Sequence, residues 1–200
     1  MKIKRILKNL MYFAGWVFFK LVFSCFYRVK ITGRRHFPKK GGVLIASNHL
    51  SMADPPLVGS CLWKPIHFMA KKELFRNPVM GWILKVVNSF PVNRGGTDMG
   101  AIRTVKKLLS EGDIVLIFPQ GGRRSEDNFE VKSGIGMLSC WSQAPIVPCC
   151  IKNSHKMKSL KRLEVHFLEP VYPPEKYTQD SYDILTHKVA LEMKEALARK

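Results

Sequence analysis

Apolar residues fall into short continuous runs, and the stretches between the runs keep helical spacing. Val43-Leu44-Ile45-Ala46, Ile66-His67-Phe68-Met69-Ala70, Val87 to Val92, Ile114-Val115-Leu116-Ile117-Phe118 and Ile146 to Ile151 have strand length and no alternation, as strands buried on both faces require. Leu163 to Leu168 alternates and reads as a half-exposed strand, while Pro148 points to an edge position or a bulge in its own run. Helices are predicted from Pro55-Pro56 to residue 63, from Asn77-Pro78 to about Val87, and from Lys132 to Trp141. A further helix runs from a Thr97 or Asp98 cap to Gly112, with Ile102, Val105, Leu108 and Leu109 on one face. An amphipathic helix from Asp183 to Arg199 closes the chain. Strands alternating with helices, with no internal repeat and no long linker, predict a single α/β domain.

The N-terminus follows another pattern. Leu10 to Phe26 is apolar apart from Lys20, with basic flanks in Lys2, Lys4, Arg5, Lys8, Arg28 and Lys30. As a helix this run reaches ~25 Å, short of a ~30 Å hydrocarbon core, and both flanks carry the same charge, so nothing orients a span. The expectation is a helical segment over 1–30, breaking near Gly15 and lying in the headgroup region with Tyr12 and Trp16 at the interface. The competing expectation is a buried core helix. Residues 31–200 would then form the domain proper.

Charge narrows the partners. Thirty-three Lys and Arg against 15 Asp and Glu give a net charge of +18, which calls for a polyanionic partner, a nucleic acid or an anionic membrane surface. The five cysteines have no metal-ligand spacing and no even pairing, as expected of buried thiols in a reducing compartment. No small-residue cleavage site follows the apolar segment, so a removable signal is not expected.

The chemistry concentrates in Asn48-His49-Leu50-Ser51-Met52-Ala53-Asp54, directly after the first buried run. A carboxylate accepting from one imidazole nitrogen fixes the tautomer and leaves the other nitrogen free to take a proton. That is a base with its orienting group and no nucleophile, which leaves the nucleophile to be a hydroxyl on the substrate. The plainer alternative is a turn capped by Asp54 with an incidental histidine beside it. Lys71, Arg94 and Arg123 also follow apolar runs, where ligands of open α/β sheets bind. Gly121 and Gly122 allow close backbone approach, and Arg123 can take a phosphate in bidentate fashion.

Taken in order, Asn48-His49 with Asp54, Arg94 after Phe90, Phe118-Pro119-Gln120-Gly121-Gly122-Arg123 and Ile146-Val147-Pro148 resemble the four motif blocks of the glycerolipid acyltransferase family. The match covers roughly residues 42–154. The resemblance implies a mixed, mostly parallel sheet flanked by helices and transfer of an acyl group from a thioester, acyl-CoA or acylated acyl carrier protein, to a lyso-phospholipid hydroxyl. The best known acceptor in the family is 1-acylglycerol 3-phosphate. His49 would be the base and Asp54 its orienting partner. Arg94, Arg123 and Lys71 would hold the phosphate, and Gly121, Gly122 and Asn48 would support the loop or an oxyanion. It implies no metal and no cofactor beyond the thioester, and a place on the cytoplasmic face of the membrane.

Two positions depart from the family pattern. Gln120 replaces the usual glutamate but keeps an acceptor oxygen able to hold the loop, and Gly122 replaces the usual threonine. Other acceptors stay open: glycerol 3-phosphate, another lyso-phospholipid or a lyso-aminolipid. A non-catalytic adaptor is disfavoured by the intact His49 and Asp54. A nucleic-acid module is disfavoured by the absence of any nucleic-acid motif. His67, His155, His166 and His187 read as ordinary surface or half-buried residues.

Overall fold

The computed structural model describes residues 2–93, 96–123, 131–132 and 134–199. Seven strands form one sheet in the order β1-β7-β6-β2-β5-β3-β4, with β1 Lys30–Thr32, β2 Val43–Ser47, β3 Ile66–Lys71, β4 Ser89–Val92, β5 Ile114–Ile117, β6 Ile146–Lys152 and β7 Glu164–Phe167. The β2–β5, β2–β6, β3–β5 and β3–β4 pairs are parallel; β7 runs antiparallel to β6 and carries β1 parallel to itself.

The unalternating runs are explained by burial on both faces. Ile45, Ile114, Leu116, Val147 and Ile151 point to one face, where they meet Leu57 and Val58 of α2 (Asp54–Ser60) and Phe23 of α1 (Lys2–Tyr27). Leu44, Ala46, Val115, Ile146 and Cys150 point to the other. There they meet Val105 and Leu109 of α4 (Met99–Ser110), Ile135 and Leu138 of α5 (Gly134–Ser142), and Leu185, Val189 and Met193 of α6 (Gln179–Ala198). The two short helical layers pack closely: a Cβ on Gly136 would stand 2.1 Å from Tyr182 O, so only glycine lets α5 meet α6 there. The remaining helix, α3 (Pro78–Val86), lies beside α1 and β4.

Most expected boundaries hold within a few residues, and the exceptions have physical reasons. Pro148 lies inside the sheet, between β2 and β7, and not at an edge. Its carbonyl accepts from Leu168 N at 2.9 Å, so its missing donor faces Leu168, just past the last paired residue of β7, and the only bond forfeited is at the end of that ladder. The closing helix starts a turn earlier than Asp183, because Thr178 and Ser181 form a reciprocal cap. The strand β1 lacks a hydrophobic signature and forms only because β7 offers it a free edge.

Helix α1 is unbroken at Gly15. Tyr12 and Trp16 turn toward the domain and not toward a bilayer interface. Ile66 N donates to the Tyr12 hydroxyl at 3.1 Å, and Trp16 Nε1 donates to Leu62 O at 2.8 Å. The two bonds engage Leu62 O, in the link after α2, and Ile66 N, at the start of β3. Lys20 Nζ lies over the rings of Trp16 and Trp63, 4.7 and 4.3 Å from their centroids. The segment is therefore a docked helix whose opposite side, with Leu10, Phe13, Phe18 and Leu21 each more than half exposed, is apolar and uncovered. It is not a buried core helix: only 6% of Leu10–Tyr27 is buried.

Candidate active site

The carboxyl ends of β2 and β5 lie side by side, with Ala46 opposite Ile117. Asn48 extends the end of β2. Its side chain donates to Ile151 O at 2.9 Å and accepts from Ile151 N at 2.7 Å, replacing the next rung of the β2–β6 ladder. This anchors the backbone immediately before His49 and makes Asn48 a loop-supporting residue.

Asp54, the first residue of α2, is fully buried. Its Oδ2 accepts from His49 Nδ1 at 2.8 Å, Leu50 N at 2.6 Å and Ser51 N at 2.7 Å. An ionised carboxylate can only accept, so Nδ1 carries the proton and Nε2 is left as the basic nitrogen. The two amides fix Oδ2 independently of the histidine, so the orienting atom is in place before the ring arrives. Phe118 then stacks on the imidazole, with centroids 4.1 Å apart and planes 22° from parallel, and covers one face of the ring. Sequence reading missed this role of Phe118: the signal lies in which strand neighbours β2, and a linear pattern does not contain it.

Gln120 is buried, and its Oε1 accepts from His49 N at 2.9 Å. Holding the loop in this way requires an acceptor oxygen and no negative charge, so the replacement of a family glutamate keeps the geometry. Gly121 has φ +73°, a conformation that favours glycine, and its amide donates to Phe118 O at 3.1 Å. That amide serves the turn and is not offered to an oxyanion. Gly122 is half-buried beside it, and Arg123 is exposed just beyond.

Lys71 ends β3, exposed and 3.6 Å from the half-exposed Glu73 carboxylate, a contact of little energetic weight. Phe68 is opposite Leu116, so three residues further Lys71 comes level with Pro119, close to the level of His49 and two strand spacings away, about 10 Å. Arg94 lies outside the described residues. The residue preceding it by one, Asn93, donates its amide to Asp98 Oδ2 at 2.8 Å. Among the described residues no group of three or more His, Cys, Asp or Glu could hold a metal ion.

Of the cysteines, Cys61, Cys140, Cys149 and Cys150 are buried as expected, and Cys25, on α1, is exposed. Burial pushes the thiols of Cys61 and Cys150 up to about 12, so both stay protonated and unreactive at neutral pH.

Comparison with known proteins agrees with this geometry. A model of the acyltransferase family matches residues 28–152. The chain is 38% identical over 142 residues to the 1-acyl-sn-glycerol-3-phosphate acyltransferase of Bacillus subtilis, covering 70% of this chain and 71% of that one. It is 33% identical over 112 residues to the protein of the same name from Streptococcus pneumoniae, covering 54% of this chain and 41% of that one. The crystal structure of the 1-acyl-sn-glycerophosphate acyltransferase PlsC from Thermotoga maritima superposes with a TM-score of 0.77, covering 100% of this chain and 85% of that one at 21% identity, and so shares the fold.

Proposed function

The chain belongs to the acyltransferase family, and we propose that it acylates the free hydroxyl of 1-acylglycerol 3-phosphate to give phosphatidic acid. The observation that carries the mechanism is the His49–Asp54 pair: a base oriented by a buried carboxylate, on a turn whose one hydroxyl, that of Ser51, is engaged with Ala53 N at 3.2 Å. The nucleophile is then the acceptor hydroxyl. His49 Nε2 takes its proton as the oxygen attacks the thioester carbonyl, and Asp54 stabilises the imidazolium that forms. Collapse of the tetrahedral intermediate breaks the carbon–sulfur bond. The departing thiolate takes the proton from His49, leaving an ester and a free thiol.

Arg123, Lys71 and Arg94 hold the acceptor phosphate at the rim, their charges matching a dianion. The donor is acyl-CoA or acylated acyl carrier protein, and the +18 charge favours either anionic carrier. The uncovered apolar side of α1 supports attachment to the cytoplasmic membrane surface, with the helix lying in the leaflet beside the domain.

The test is mass spectrometry of the lipids formed by purified protein offered mixed lyso-lipids with acyl-CoA or acyl carrier protein thioester. Phosphatidic acid is the expected product. Exclusive acylation of an acceptor lacking phosphate would overturn the substrate, and product formation undiminished in His49→Ala would overturn the mechanism.

A further inference from the structure

Helix α3 is apolar on nearly every side and yet almost wholly exposed. Gly81 is its one buried residue, lying against the backbone of Phe75, while Val79, Met80, Trp82 and Ile83 are 67%, 40%, 56% and 42% exposed. A helix apolar all round belongs in an apolar medium. The neighbourhood says which medium. Lys71, Lys72 and Arg76 lie in the segment leading into the helix and Lys85 on its last turn, all exposed, with Glu73 the one acid among residues 71–86. An apolar patch flanked by cations complements an anionic bilayer, whose headgroups meet the cations and whose acyl region receives the patch. The patch also continues onto α1: an open groove of about 560 Å³ between the two helices is lined by Leu7 and Met11 on one side and Trp82 and Val86 on the other. On the far side of the sheet the pattern is ordinary: the exposed Ile184 and Leu191 of α6 stand apart, with exposed His187 and Lys188 between them.

We infer that α3, with the short turn before it, is a second membrane-contact element that docks on an anionic phospholipid surface beside α1. This rests on the membrane-surface reading above and adds to it. One helix alone leaves the domain free to roll about the helix axis. Two contacts fix the tilt. Because the turn 72–76 joins the end of β3 to α3, docking α3 holds Lys71 at headgroup level, where a lipid phosphate lies.

An environment-sensitive fluorophore placed on the native Cys25, or on Val79→Cys in a Cys25→Ser chain, tests this in vesicles of phosphatidylglycerol and brominated phosphatidylcholine. The buried thiols stay unlabelled. Quenching at both positions is the expected result. Quenching at 25 without quenching at 79 would overturn the second contact and leave the α1 anchor standing. Quenching at neither would remove the membrane-surface reading with it. An unquenched label at 79 in chains that crosslink as pairs would assign the patch to a second copy. In parallel, the double variant Val79→Ser with Ile83→Ser should weaken vesicle partitioning about tenfold, from the apolar area lost, with turnover on detergent-dispersed substrate unchanged. Equal partitioning of variant and parent would count against the docking.

Discussion

Two strand-to-helix turns in this molecule use the same device in opposite surroundings. After β2, Asp54 reaches back and gathers the amides of Leu50 and Ser51 together with His49 Nδ1, all on one fully buried oxygen. After β4, Asp98 reaches back to the amide of Asn93 and forward to that of Ala101, in a partly exposed position. In the first turn the carboxylate is shielded from water and its loss cannot be made good by solvent. In the second, water can replace whatever is lost. The difference separates the work of the two regions. The β2 turn fixes the imidazole of His49, and the proton transfer proposed for that ring needs close placement. The β4 turn sets the course of the chain at Asn93, just before Arg94, which is proposed to hold the acceptor phosphate.

The sharpest way to break the comparison is at the ring itself. His49→Ala should lower kcat by ~10²–10⁴-fold or more, through loss of the base, while thermal unfolding changes little, because the two amides still hold Asp54 in place. A large fall in Tm would show that the histidine holds the turn and not the reverse.

Substitution of the buried carboxylate should separate charge from geometry. In Asp54→Asn the amides of Leu50 and Ser51 still require an acceptor, so the amide oxygen should take the Oδ2 position and accept from His49 Nδ1. The tautomer survives and the anion facing the imidazolium is lost, giving an expected fall in kcat of ~10²-fold. The new amide nitrogen enters the buried Oδ1 position, which has no hydrogen-bond partner, so a stability loss of about 1–3 kcal/mol accompanies it. Asp54→Ala leaves buried donors without a partner, and should in addition lower stability by about 1–3 kcal/mol per orphaned amide. If the two variants were equally active and equally stable, Asp54 would owe its effect to neither charge nor amides.

At the rim the expected effects are smaller and of a different kind. Arg123→Ala should raise the acceptor KM by ~10–150-fold, the equivalent of a charge-assisted contact of about 1.5–3 kcal/mol, and leave the donor KM near its original value. Added salt should weaken acceptor binding in the parent and have little effect on the variant's remaining kcat, since the rim is solvated and the His49 pair is not. Equal shifts in both Michaelis constants would assign Arg123 to the donor or to the fold.

How far these two turns were legible in the sequence follows from what a linear pattern encodes. His49 and Asp54 were readable because their partnership is local: five positions and a proline-restrained turn bring them together. The helix start at Thr97 or Asp98, which the structure assigns to Asp98, and the Gly112 stop were readable for the same reason. The buried runs gave the strands but not their order, since strands buried on both faces share one signature. The stacking of Phe118 on His49 therefore stayed invisible until β5 was seen beside β2. The interior position of Pro148 was misread because the edge preference of proline assumes a full ladder, and here the missing donor falls at the last rung with β7, where only one bond is lost. Tyr12 and Trp16 were misread because aromatic residues with a polar tip suit a membrane interface and a gap in protein backbone bonding equally well.

The smallest expected effect concerns Asp98 and tests whether the exposed turn is as dispensable as its setting implies. Amide donors from Asn93 and Ala101 hold its carboxyl below the usual carboxylate range. A depressed folded-state pKa means that the ionised form is favoured by folding. The contribution is therefore complete above the unfolded-state pKa and is lost as pH falls through the lower, folded-state value. At neutral pH Asp98→Ala should lower Tm slightly and raise the acceptor KM modestly, because Asn93 is released one residue ahead of Arg94. Titrating both proteins downward should leave the difference in Tm unchanged until the acid range of free carboxylates is reached, and then close it as the parent's carboxylate protonates. A gap that persisted at the acid extreme would mean that Asp98 acts through packing and not through its charge. A gap as large as that of Asp54→Ala would mean that burial is not what distinguishes the two turns.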